Sequence, residues 1–189
     1  MARNMATAGP RRRNRWSWAI WGTAASLLPL PAIAMRFPGS GVDWDARDFT
    51  IMGVMFFIAC GSYEVVARIS DNTAYRAASG IAIVTAFLTV WVNLAAGMLG
   101  SERNPANLLF GGVLAIALVG ALVARFRPQG MARAMLAAAA AQVAMALYAL
   151  FGGYAEVTLH VGLFALPWLL SAHLFRKAAR EIAALDEVA

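Results

Sequence analysis

The chain has 189 residues, a formal net charge of +6, 61% apolar residues and only 14% charged ones, where an ordinary soluble domain holds about 45–50% apolar and about 25% charged residues. That composition excludes a disordered or fully water-solvated chain. A single cysteine, Cys60, excludes an intrachain disulfide framework and a cysteine-based metal centre.

The apolar residues fall into six continuous runs of 19 to 23 residues, at 16–35, 49–67, 77–99, 106–124, 134–154 and 157–175. About 20 apolar residues make a helix that crosses roughly 30 Å of hydrocarbon, whereas the strands of a membrane barrel alternate with period two. The expected fold is all-α, a six-span transmembrane bundle over 16–176. A disordered basic tail is expected at 1–15 and a polar tail at 177–189.

The first run follows a basic segment and ends near Pro31-Ala32-Ile33-Ala34, which resembles a signal peptide with an A-x-A cleavage site; Arg11-Arg12-Arg13 invites a twin-arginine comparison. Trp16, Trp18 and Trp21 gather at its start as an aromatic belt does, and the run is long enough to stay as an anchor, so we expect it to be retained. Pro29 and Pro31 each remove a backbone donor and should kink or end this helix. The connection at 36–48 is polar and turn-rich, with Pro38, Gly39 and Gly41, and Trp44 suits the membrane interface.

On the second run Glu64 precedes Arg68 by one turn, the favourable order for an i,i+4 ion pair. A snorkelling interfacial pair is the expected role. A proton-carrying carboxylate would need Glu64 deep and unpaired.

On the third run Thr85, Thr89, Asn93 and Gly97 recur every four positions, and Gln142 on the fifth run is placed to face them. Polar residues inside a membrane are expensive unless they face the bundle or water. Two readings follow, interhelical hydrogen bonding beside small residues or the lining of a solute path; packing is the expected one, because the fourth and fifth runs carry Gly111, Gly112, Ala115, Ala117, Gly120 and the alanines of 137–141.

Between the third and fourth runs lies Asn104-Pro105-Ala106, a triplet that water channels carry at the mouths of half-helices. Here Gly100 and Ser101 break the preceding helix, Asn104 is a preferred N-cap and Pro105 fits the first turn, where no backbone donor is needed. A helix start explains every letter. Such a channel needs two copies of the triplet and this chain has one.

His160 and His173 share the sixth run, 13 residues apart, or roughly 19–20 Å at about 1.5 Å per residue. They cannot hold one metal or one haem, and no cofactor is expected. Glu156, Glu102, Asp43, Asp45 and Asp48 fall on the same side as His160; a solvated acidic surface is preferred there over a weak divalent-cation site. No nucleophile–base set, phosphate loop or zinc-protease helix occurs in the sequence.

Thirteen of the sixteen basic residues lie in the N-terminal tail, the two even-numbered connections and the C-terminal tail. By the positive-inside rule both ends are cytoplasmic, so the basic balance reports orientation and contact with lipid headgroups, and no nucleic-acid partner is expected. Fifteen Arg against one Lys, with abundant Ala, matches the usage of a GC-rich bacterial genome.

Sliding the chain by 57 residues places Val66-Ala67-Arg68 on Val123-Ala124-Arg125, Arg76-Ala77 on Arg133-Ala134, Ala82 on Ala139 and Thr85 on Gln142. Spans two plus three then look like spans four plus five, a duplicated hairpin or a product of alanine abundance and shared topology.

The segments Ser62-Tyr63-Glu64-Val65-Val66-Ala67-Arg68, Trp91-Val92-Asn93-Leu94-Ala95, Gly100-Ser101-Glu102-Arg103-Asn104-Pro105-Ala106-Asn107 and Ala124-Arg125-Phe126-Arg127-Pro128 resemble those of a family of short multi-pass bacterial membrane proteins. The resemblance covers roughly residues 43–150. Arg103 stands where that pattern carries an acid. The family brings no activity with it, so the resemblance implies topology alone.

The expectation is a bacterial inner-membrane protein whose partners are the bilayer and other membrane subunits or copies of itself. A non-enzymatic structural or partner-binding subunit is the leading reading. A small-solute or ion transporter lined by the third and fifth spans is the alternative, and an intramembrane enzyme comes third.

Overall fold

The computed structural model describes residues 15–187, with side chains from residue 18 onward. Residues 1–14, most of the expected basic tail, and the Trp16 side chain lie outside the described set. The described residues form helices and short 3-10 turns, with no strand among them. Two units divide at Cys60/Gly61.

In the first unit α1 runs Arg15–Leu27 and α2 runs Leu30–Ala34. Pro29 sits at the N-cap of α2 and Pro31 in its first turn, so the first apolar run is a broken helix. Its apolar part, Trp18–Ala34, is shorter than the five helical segments long and apolar enough to cross a membrane. Those five are Ala46–Ile69, Thr73–Ala95, Pro105–Val123, Pro128–Phe151 and Ala155–Asp186.

The helix α3, Ala46–Ile69, begins at a reciprocal cap. Asp45 Oδ1 accepts from the amides of Arg47 (2.7 Å) and Asp48 (3.0 Å), while Asp48 Oδ2 accepts from the Asp45 amide at 3.0 Å. This is an aspartate version of the capping box, and it employs two of the acids that sequence reading had assigned to an acidic surface. Trp21 meets Phe57 edge-on at 5.7 Å, and Trp44 meets Phe49 at 5.3 Å. Only Met52 and Cys60 of α3 are buried.

In the second unit α4 is Thr73–Ala95, α5 is Phe110–Val123, α6 is Pro128–Phe151, α7 is Thr158–Leu163 and α8 is Ala165–Asp186. Both α4 and α6 pack against α8, and α5 packs on α6. Alanines make this possible: Ala134, Ala138, Ala139 and Ala149 are buried on α6, with Ala165, Ala172 and Ala178 on α8. Lipid tails are as apolar as leucine, so helices in a bilayer associate by close packing, and small residues let their backbones approach. Trp168, Phe175 and Phe110 fill the wider gaps.

Several boundaries differ from the apolar runs; α4 starts at Thr73 and α6 at Pro128, four and six residues before their runs at 77 and 134. The third run was read to residue 99, but α4 ends at Ala95 because Gly97 and Gly100 adopt φ of +73° and +80°, conformations glycine enters without a Cβ penalty. Leu99, fully buried, belongs to the loop and not to a helix. The fourth run opens as a 3-10 turn, Pro105–Leu109, before α5. The sixth run breaks at Phe164 and then continues to Asp186, beyond the expected end at 176: Phe175 and Ala178 stay on the buried face while Arg176, Lys177 and Arg180 are exposed.

The 57-residue match extends to burial, since Ala74, Tyr75, Ala78 and Thr85 of α4 fall on Met131, Ala132, Met135 and Gln142 of α6, all buried. Both helices pack against α8, which by itself accounts for the shared periodicity.

Candidate functional site

The polar side chains inside the helical layer are the natural place to look for chemistry, because each is costly in hydrocarbon. On α4 the Thr85 hydroxyl donates to the Ile81 carbonyl (2.7 Å), Thr89 to the Thr85 carbonyl (2.8 Å) and the Asn93 amide to the Thr89 carbonyl (2.7 Å). Each group thus bonds one turn back along its own helix, the usual resort of a hydroxyl or amide on a helix with no other partner. Gly97, the fourth member expected of this stripe, lies past the end of α4, because its positive φ has already turned the chain out of the helix.

Gln142 is completely buried and donates to the Val161 carbonyl on α7 at 2.9 Å. No hydrogen bond joins it to Thr85, Thr89 or Asn93 among the described residues. The stripe and the glutamine are therefore separate devices, one stitching α4 to itself and one tying α6 to α7. Thr85 is 2% exposed, and Thr89 and Gln142 are 0% exposed. Thr89 and Gln142, without accessible surface, cannot line a water-filled route, whereas Asn93 is half-buried and its Oδ1 has no partner among the described residues.

Glu64 and Arg68 form the expected pair at 2.8 Å, with the arginine side chain 76% exposed. Asn104 caps the turn that starts with Pro105, its Oδ1 accepting from the Ala106 amide at 3.0 Å. Its Nδ2 donates to the Leu99 carbonyl at 2.8 Å. Asn107 completes the arrangement: its Oδ1 accepts from the Leu99 amide (2.8 Å) and its Nδ2 donates to the Ser101 carbonyl (2.7 Å). Two asparagines thus satisfy both backbone groups of Leu99, which a buried loop residue requires. His160, His173 and Glu156 are exposed, and no cluster of three metal-ligating side chains occurs among the described residues.

Three further side chains, Ser171, Tyr75 and Asn72, make contacts that the sequence pattern does not reveal. Ser171 on α8 donates to the Ala78 carbonyl on α4 at 2.8 Å. Tyr75 donates to the Phe126 carbonyl at 2.7 Å and stacks edge-on with Phe175 at 5.1 Å. That carbonyl belongs to the α5–α6 connection, where Arg125 and Phe126 both adopt left-handed conformations (φ 49° and 58°). Asn72 caps α4 through the Tyr75 amide and reaches Glu181 at 2.8 Å. A lone serine in the sixth run, a tyrosine at a span's first turn and an asparagine before it were the available signals.

Comparison with protein families, with curated proteins and with solved structures finds no match.

Proposed function

We propose that the chain is a multi-pass protein of the bacterial inner membrane, with both ends in the cytoplasm, that serves as a non-enzymatic structural or partner-binding subunit. One observation carries this reading: of the four polar residues that would have lined a route, Thr85, Thr89 and Gln142 are buried and bonded to backbone carbonyls, Thr89 and Gln142 with no exposed surface at all. They serve cohesion. The alternation of basic connections supports the orientation, and the broken first helix then acts as a short sixth crossing or an interfacial anchor.

The outward face fits a partner. Val54, Phe57, Ile58, Val65 and Ile69 of α3 are all exposed, leaving much of a membrane-length helix uncovered by the described residues. Purification of the tagged chain from native membranes in mild detergent tests the proposal. A stoichiometric second protein, or a particle larger than one chain, is expected. A lone monomer contradicts it, as does solute flux in proteoliposomes that Asn93→Leu abolishes without altering thermal stability.

A further inference from the structure

A groove of about 460 Å³ opens along α4 beside the α7–α8 break, bordered by Tyr63 from the last turns of α3. Along α4 it extends from Arg76 to Leu88, roughly 18 Å at about 1.5 Å per residue. Its walls are apolar, with Ile81, Val84 and Leu88 on one side and Phe164 and Pro167 on the other. Thr85 also borders it, but that hydroxyl is already bonded to the Ile81 carbonyl. Gly80 lets the Tyr63 ring come close, since a Cβ there would stand 3.2 Å from the ring.

The groove has one charge, and it lies at one end. Arg76 is half-buried, one turn into α4, and makes no ion pair or side-chain hydrogen bond with any described residue. No acidic side chain borders the groove. A guanidinium withdrawn partly from water beside hydrocarbon calls for an anion, and its planar fork matches phosphate oxygens. A cation at a helix end that continues into an apolar trough has the outline of a phospholipid, phosphate at the interface and chain along the wall.

We propose that this groove holds one acyl chain of an anionic phospholipid whose phosphate is bound by Arg76. The site rests on reading the chain as membrane-embedded, and alkaline carbonate extraction tests that reading first: release of the protein into the wash sinks both before any lipid is added. The probe is then spin-labelled phosphatidylglycerol, compared with spin-labelled phosphatidylcholine, in vesicles of phosphatidylethanolamine holding the full chain. A motionally restricted phosphatidylglycerol population is expected, and Arg76→Gln should lower its preference over phosphatidylcholine about five-fold, the worth of one interfacial cation. Val84→Trp should displace the restricted chain, whereas Arg125→Gln, at an exposed cation, should leave the preference intact.

An unchanged preference in Arg76→Gln overturns the proposal, and so does an equal loss in Arg76→Gln and Arg125→Gln, which would mean diffuse surface charge. Oxidative crosslinking of Val84→Cys into dimers also overturns it, because a second copy would then fill the groove. Should Arg76→Gln fail to fold, Val84→Trp decides: loss of the motionally restricted phosphatidylglycerol population supports the site, and its persistence refutes it.

Discussion

Adding one methyl group at Gly120 should loosen the α5–α6 pair. A Cβ built there lies 2.6 Å from the Ala134 Cβ and 3.2 Å from its Cα, whereas carbon atoms prefer about 3.5–4.0 Å. The helices must part by roughly 1 Å or bend, and overpacking of this kind costs about 1–3 kcal/mol. Against that, alanine is favoured over glycine within a helix by about 0.8–1.0 kcal/mol. The net expectation for Gly120→Ala is a loss of about 0–2 kcal/mol. The control sharpens the sign: a Cβ at Gly112 meets nothing within 4 Å, so Gly112→Ala should gain stability by up to about 1 kcal/mol from propensity alone. Both are measured by thermal unfolding in one detergent. Gly120→Ala combined with Ala134→Gly should recover much of the loss, because the offending methyl then faces a vacancy. If Gly120→Ala is as stable as Gly112→Ala, the close approach of α5 and α6 is refuted.

Tyr75→Phe should cost about 1 kcal/mol and speed proteolysis at the 124–127 turn, because the phenol ties that left-handed connection to α4; an unchanged melt and digest would deny the tie. Asn104→Ala should cost about 0.5–2 kcal/mol as a lost cap, and its effect should not add fully to that of Asn107→Ala, since both hold Leu99. Full additivity in a double-mutant cycle would contradict that shared role. Gln142→Leu should change stability by no more than about 1 kcal/mol, because the lost bond to Val161 is offset by removal of a buried carbonyl oxygen that has no partner among the described residues. A much larger loss in the same melt would show that this bond holds α6 to α7 more strongly than it would in other membrane bundles.

Much of the helical layout was legible because hydrocarbon imposes length and continuity on any segment that crosses it. The start at Asn104-Pro105 was legible for a local reason, since a cap and a proline act within one turn of sequence. The pairing of Gln142 was not. A glutamine reports that a partner is needed but not which, and the carbonyl it reaches lies on a helix of six residues that ends just before Phe164. The end of α8 was hidden for a different reason: a run of hydropathy stops where Arg176 and Lys177 begin, while the helix continues with Phe175 and Ala178 packed inward. Of the glycines on the fourth run, only Gly120 touches a neighbouring helix at the limit of approach, and Gly111 and Gly112 meet open space. Sequence composition marks which residues permit close packing, and the helix rotation decides which of them use it.

The proposed layout in the membrane is tested most directly by single cysteines in a Cys60→Ser chain, labelled in intact spheroplasts with a maleimide that does not cross bilayers. Asp43, Arg103 and Arg127 are exposed positions in three different connections. Cysteine at 43 or 103 should react before lysis, and cysteine at 127 only after it. Reaction of 127 in sealed cells, or silence of 43 and 103 until lysis, would contradict the arrangement of these helices across the bilayer.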